Sequence, residues 1–315
     1  MTAVYDRQRW ACIHEDEISD KLVQEKAFGL FANAYLAVAS KGAGSFKAVF
    51  AKYNRTRKED FQIRTAILEE NGKRYVEKTA LTAAAEAHIR SMREKYEKLI
   101  SVNPAVKVLE PHYSKDNKAV RFGFLKGKTL AEILGEQITG KKAPVEALKA
   151  AMDRVFGQAV LKKEPFTPTD QFKEVFGDSE EILSLQDTSY EVSNIDGLFE
   201  NLMETQDGLY CLDYEWVFEF PIPAGFIRYR NLVYFYYKYE GLLDYENAVQ
   251  FLSEFGMDEK LAEIYASMEV AFQTWVHGDG TQGYMGNYKQ RLVTLEELKA
   301  QEKELAQARE RVNQL

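Results

Sequence analysis

Three oxygen-bearing side chains stand at spacings that could hold and transfer a phosphoryl group. Asp196 is followed five residues later by Asn201, and Asp213 comes after the apolar run Gly208-Leu209-Tyr210-Cys211-Leu212. One carboxylate can take the proton of an acceptor hydroxyl. An amide oxygen and a second carboxylate suit a hard divalent cation held against phosphates. Such chemistry asks for positioning and charge neutralisation more than for covalent participation. It also needs a fixed cation on the phosphates, and Lys78 in Tyr75-Val76-Glu77-Lys78 is the candidate. Glu86 shares a helical stripe with Ile89, Met92 and Tyr96, which makes it the expected partner that orients Lys78; Glu94 lies off the stripe. Alone, Lys78 reads as a surface lysine, and its meaning comes from its place in the order of elements.

Those elements can be read from periodicity and turn chemistry. Lys47 to Tyr53 reads as a strand. Phe61 to Leu68 and Lys73 to Thr79 form a hairpin around Asn71-Gly72, the pair that a type I′ turn prefers. Thr82 to Ile100 reads as one helix, with Leu99 completing its apolar face. Strands Val106 to Tyr113 and Lys118 to Leu125 follow. Thr129 and Glu132 form a capping box that starts a helix just after Lys126-Gly127-Lys128. The loop Asn54 to Asp60 has no glycine but carries Arg55, Arg57 and Lys58. It reads equally as a set of phosphate-covering cations or as a solvated basic turn. Residues 224–275 read as helical and aromatic-rich, mainly core, and Trp216 stands directly beyond the acidic pair as a candidate acceptor contact.

The bulk numbers bound the function. The chain has 315 residues, 45% of them hydrophobic and 29% charged, with a net charge of −8. That length supports one two-lobed domain with extensions. The acidic balance argues against a nucleic-acid partner. Cys12 and Cys211 are far apart, which excludes a disulfide framework and suits a reducing compartment. Cys211, in an apolar run, reads as a small buried hydrophobe. The four histidines are scattered, with no zinc-ligand spacing. No apolar leader follows Met1, and no apolar run reaches the roughly 18 residues that would indicate a transmembrane segment. The expected location is cytoplasmic, with any membrane association peripheral to the inner membrane.

The order strand-strand-strand, helix, strand-strand, junction, capped helix, then Asp-x4-Asn and Leu-Asp-Tyr-Glu resembles the eukaryotic-like (protein-kinase-like) kinase superfamily. The resemblance spans residues 47–290. Within that superfamily the chain is similar to the kinase domain of bacterial O-antigen chain-terminating kinase–methyltransferases. The resemblance implies an α+β, two-lobed fold with a small β-rich N-lobe (46–126) and a larger helical C-lobe (127–290). It implies ATP and Mg2+, with Asp196 as the base on the acceptor hydroxyl and Asn201 and Asp213 as magnesium ligands. Lys78 would bind phosphates and Glu86 would orient it. The backbone of Leu125, Lys126 and Gly127 would meet adenine, Arg55 and Arg57 would lie over the phosphates, and Glu215 would support the metal shell. The implied acceptor is a sugar or glycan in bacterial surface polysaccharide synthesis. Residues 1–45 would be an N-terminal extension, the tail of a preceding methyltransferase-like domain, although the chain carries no glycine motif for S-adenosylmethionine.

Some positions depart from the pattern. Asn194-Ile195 replace the usual His-Arg, so no arginine is present to anchor a phosphorylated activation loop. Gly197 to Glu200 contain no lysine or histidine for the γ-phosphate. These departures leave room for a second reading, a non-catalytic pseudokinase scaffold. Its docking element would be 291–315, where Leu298, Leu305 and Val312 repeat at heptad spacing. That segment reads as a terminal helix or as a coiled coil suited to a homo-oligomer or a partner helix. Two imitations are set aside as turns: Gly42-Ala43-Gly44-Ser45, too far upstream of Lys78 for a phosphate loop, and His277-Gly278-Asp279, with Tyr284 where an Asn would be needed.

Overall fold

Asn71 and Gly72 both take positive φ, 52° and 76°, which lets β2 (Ile63–Glu70) fold back on β3 (Lys73–Ala80) in a tight hairpin. The computed structural model describes residues 47–157 and 163–278, together with Lys299 and Lys303. By contacts, the described residues from Lys47 to Gly278 belong to one compact unit. The expectations for the N-terminal extension, the Gly42 turn, Asp279 and the C-terminal helix or coiled coil fall outside the described residues.

With β1 (Lys47–Tyr53), the hairpin begins an antiparallel five-stranded sheet. Ile63, Val120 and Phe122 are buried on one face of the sheet, and Ala66 and Leu68 are buried on the opposite face. The expected single helix is two, α1 (Glu86–Arg90) and α2 (Met92–Val102). Thr82 delays its start. The Thr82 hydroxyl donates to Glu59 O (2.6 Å) and accepts from Ala85 N (3.1 Å), holding 82–85 in a turn. Ser91 marks the break, its hydroxyl donating to His88 O (2.8 Å). Ile89, Met92 and Leu99 are buried as the stripe predicts.

The next expected strand is also divided, into β4 (Lys107–Val108) and β5 (His112–Tyr113). Pro111 lies between them and offers no N–H to a ladder. β5 pairs with β6 (Ala119–Gly123), completing the sheet order β1-β2-β3-β6-β5.

The second part of the unit begins with β7 (Lys128–Thr129) and α3 (Leu130–Gly135). The capping box is present: Thr129 Oγ1 accepts from Glu132 N and the Glu132 carboxylate accepts from Thr129 N. A cap of this kind contributes about 1 kcal/mol. There follow α4 (Val145–Met152), β8 (Lys163–Pro165), α5 (Asp170–Phe176), α6 (Glu180–Leu183), β9 (Thr188–Tyr190) and β10 (Ser193–Asn194). After these come β11 (Leu202–Thr205), β12 (Gly208–Cys211), β13 (Val217–Phe218), β14 (Ile222–Pro223), α7 (Ala224–Tyr239), α8 (Ala248–Ser253) and α9 (Glu259–His277). β4 joins this part, pairing parallel with β12 in a sheet of order β4-β12-β11-β7. Two smaller sheets pair β10 with β13 and order β14-β9-β8.

Phe172, Phe176, Phe226, Phe235, Phe251 and Phe272 are fully buried, so the aromatic run is mainly core, as read from sequence. Each such burial is worth roughly 1.5–3 kcal/mol. The fold is α+β and two-lobed: a β-sheet lobe with its helices, then a mainly helical lobe. Among the described residues no helix is long and apolar enough to cross a membrane.

Candidate active site

Successive residues of a strand face opposite sides, and β3 uses this at Glu77 and Lys78. Glu77 turns to Arg64 and Arg121. Lys78 turns inward, 4% exposed, and its Nζ donates to Asp213 Oδ1 (2.7 Å) and Glu215 Oε1 (2.5 Å). The acidic pair lies between β12 and β13, and its side chains divide in a similar way. Tyr214 points the other way, its hydroxyl donating to Leu109 O (2.7 Å), so Asp213 and Glu215 share one side. Burial opposes charge on Lys78, but the two carboxylates outweigh it and hold the ammonium above the ordinary lysine value.

The expected Glu86–Lys78 pair does not form. Glu86 is the first residue of α1 and pairs with Lys118 (3.0 Å) and Arg90 (3.3 Å). Glu94 is exposed. Glu215 takes the place of both, and it also receives Arg57 Nη1 on Oε2 (2.7 Å), with His88 Nε2 at 3.8 Å. Burial alone would raise the Glu215 carboxyl; Lys78, Arg57 and His88 bring it well below the ordinary glutamate value.

Asp196 is delivered by the pairing of β10 with β13. Its Oδ2 accepts from Trp216 N (2.8 Å), and its N–H donates to Asn194 Oδ1 (3.0 Å). Asn201 Nδ2 donates to Asp196 O (2.9 Å), and Leu212 N donates to Asn201 O (2.8 Å). The loop and the strand leading to Asp213 are therefore tied directly to each other. Asn194 adds a tie, its Nδ2 reaching Cys211 Sγ (3.3 Å) and Asp213 O (3.5 Å). The residue that departs from the usual histidine thus still links the loop to the acidic pair. Burial, then the nearby carboxylates of Asp213 and Glu215, push the Asp196 carboxyl up to about 7, against Arg230 and the Trp216 N–H. Cys211 is buried and its thiol is pushed up to about 12, first by burial, consistent with an inert packing residue.

The other sequence candidates divide. Arg57 belongs to the cluster, its guanidinium 5.5 Å over the Trp216 ring. Arg55 does not; it lies 5.3 Å over the Tyr53 ring. Trp216 is not an acceptor contact. It is 6% exposed and packs among Phe61, His88, Phe272 and Trp275, segments too distant in sequence to be foreseen. Leu125 and Lys126 lie outside both sheets, at the junction of the lobes. Gly127 packs so closely on β11 that a Cβ there would stand 2.2 Å from Glu204 O, so only glycine fits. Lys95, which sequence reading passed over, donates from α2 to Glu215 O (2.5 Å). A sequence signal existed for it: a lysine standing inside the apolar stripe of Met92, Tyr96 and Leu99.

No protein-family model matches this chain, and no curated protein does. Solved structures that share its outline include an ADP-bound aminoglycoside phosphotransferase, APH(2'')-Ib, at 14% identity and TM-score 0.38, covering 93% of this chain and 97% of that one. Macrolide 2'-phosphotransferase MphH from Brachybacterium faecium matches at 12% and 0.34, covering 81% and 89%. Spectinomycin phosphotransferase APH(9)-Ia, in complex with ADP and spectinomycin, matches at 12% and 0.33, covering 76% and 87%. Likeness at this level says nothing about activity or acceptor here.

The donor set bears on a metal directly. Among the described residues no three His, Cys, Asp or Glu side chains are grouped to hold an ion by themselves. Magnesium held together with phosphates and water needs fewer protein ligands. Asp213 uses Oδ1 for Lys78 and for Glu215 N (3.2 Å), which leaves Oδ2, on a side chain one-third exposed (34%). Asn201 spends its amide nitrogen on Asp196 O, which leaves its Oδ1. Asp213 Oδ2, on the carboxylate that holds the Lys78 ammonium, and Asn201 Oδ1 are hard oxygens of the kind magnesium takes.

Proposed function

We propose that the chain is an ATP- and magnesium-dependent phosphotransferase with a hydroxyl acceptor. The observation that carries this reading is the convergence of Lys78, Asp196, Asn201 and Asp213, with Lys78 bonded to an aspartate 135 residues away. In this reading Asp196 takes the proton of the acceptor hydroxyl. The acceptor oxygen forms a bond to the γ-phosphorus as the bond to the β–γ bridging oxygen breaks, and ADP departs. Lys78 holds the α- and β-phosphates, Asp213 and Asn201 hold magnesium, and the junction Leu125-Lys126-Gly127 borders the adenine. Bound magnesium would neutralise charge on the phosphates.

On the sequence resemblance alone, we propose a sugar or glycan acceptor in bacterial surface polysaccharide synthesis, and a cytoplasmic protein. The same reading takes 46–126 and 127–290 as the two lobes, 1–45 as an extension and 291–315 as a docking helix.

The test is phosphate transfer from ATP to a panel of sugars and glycans. Asp196→Asn is expected to lower turnover about 10²–10⁴-fold, the usual worth of a positioned base, while Mg·ATP still binds. Normal turnover by that variant would remove Asp196 from the chemistry. The absence of any cation in Gly197 to Glu200 favours the scaffold reading. Binding of Mg·ATP with no transfer to any acceptor would select it.

A further inference from the structure

We infer that Lys95 is a positioning residue for Asp196, acting through the single peptide unit that joins Glu215 to Trp216. The inference rests on the reading of Asp196 as the acceptor base. Both ends of that peptide are engaged. Its N–H, from Trp216, donates to Asp196 Oδ2 (2.8 Å), and its carbonyl, from Glu215, accepts from Lys95 Nζ (2.5 Å). A peptide bond is planar and delocalised. A cation on the oxygen draws electron density from the nitrogen and makes the N–H a stronger donor. Hydrogen bonds in such a chain polarise one another, by about 10–30% per bond.

The unit is also prevented from turning. On one side Ile195 N donates to Trp216 O (3.0 Å), next to Asp196 itself. On the other, the Glu215 side chain is held by Lys78 and Arg57. The Trp216 ring is packed in the aromatic cluster, 5.0 Å from both Phe61 and His88. Lys95 approaches from α2, anchored by the buried Met92 and Leu99 on the same helical face. An ammonium placed on the apolar face of a helix is costly unless it has a use. Here its hydrogen bond goes to the carbonyl whose partner N–H orients the carboxylate of Asp196.

The test compares the full chain with Lys95→Met and Lys95→Arg by following the Trp216 amide in nuclear magnetic resonance without nucleotide. In Lys95→Met the amide proton is expected to move upfield and exchange faster with solvent. Turnover is expected to fall about two- to fourfold, the effect of weakening rather than losing one hydrogen bond to a charged group, with KM for the acceptor and affinity for Mg·ATP unchanged. Lys95→Arg is expected to restore both the shift and the rate. Lys95→Gln, a donor without charge, should lie between and serves if the methionine variant does not fold. An unmoved Trp216 amide in a folded Lys95→Met or Lys95→Gln would overturn the proposal. A moved amide together with normal turnover by Asp196→Asn would refute the reading of Asp196 as base, and this proposal with it.

Discussion

Glu77 and Lys78 are neighbours on one strand, yet each anchors a different kind of ionic cluster. On the outer face Glu77 binds Arg64 and Arg121, whose side chains are 26% and 47% exposed. These partners come from β2 and β6, the strands on either side, so the cluster stitches a local sheet. On the inner face Lys78 binds Glu215, with side chains only 5% and 4% exposed, and both partners of Lys78 come from the other lobe. Half-wet pairs contribute little. Buried pairs rarely outperform apolar replacements, because desolvation offsets attraction. The inner cluster is therefore hard to explain as a stabilising device, and a nucleotide site gives it a reason to exist.

The contrast can be broken at its strongest point with Glu215→Ala, which leaves Lys78 and Arg57 without their shared carboxylate. Breaking a buried pair costs about 3–5 kcal/mol, and Lys78 keeps Asp213, so urea unfolding should show a loss near the lower end of that range. A loss below about 1 kcal/mol would mean that the cluster is wetter than it looks.

The acid limb of stability gives a second, smaller test. The Glu215 carboxyl lies well below its ordinary value, so its contribution is present above the unfolded value and is lost as pH falls through the folded one. Asp196 works in the opposite direction. Its folded value of about 7 lies above the unfolded one, so stability should decline as pH rises from about 4 to about 7, while turnover should rise over the upper part of that range. Asp196→Asn should remove that decline in unfolding curves measured at several pH values. An unchanged pH dependence would contradict the buried placement of this carboxylate.

The smallest effects belong outside. Glu77→Gln is expected to cost about 1 kcal/mol and Glu86→Gln about 0.5 kcal/mol or less, with Mg·ATP affinity unchanged in both. Weaker nucleotide binding in Glu86→Gln would return Glu86 to the role that its helical stripe suggested.

That stripe shows where the sequence was legible and where it was not. The hairpin at Asn71-Gly72 and the capping box at Thr129 are local signals, and both elements stand where they pointed; the spacing of Asp196, Asn201 and Asp213 is a local signal too, and its catalytic reading is the proposal above. The partner of Lys78 differs from the one the stripe suggests, because the helical period does not run back through Thr82, whose hydroxyl bonds Glu59 O and holds a turn. For Lys95 the sequence does carry a signal, a lysine inside the apolar stripe of Met92, Tyr96 and Leu99. The burial of Trp216 had no local signal, because Phe61, Phe272 and Trp275 reach it from both ends of the described chain.

The most direct test of a nucleotide site between Lys78 and Asp213 is calorimetric titration of Mg·ATP into the protein and into Asp213→Asn. Magnesium-dependent binding to the first, weakened at least about 100-fold in the second, is the expected result. Equal affinity in both, or no heat with either, would contradict the site.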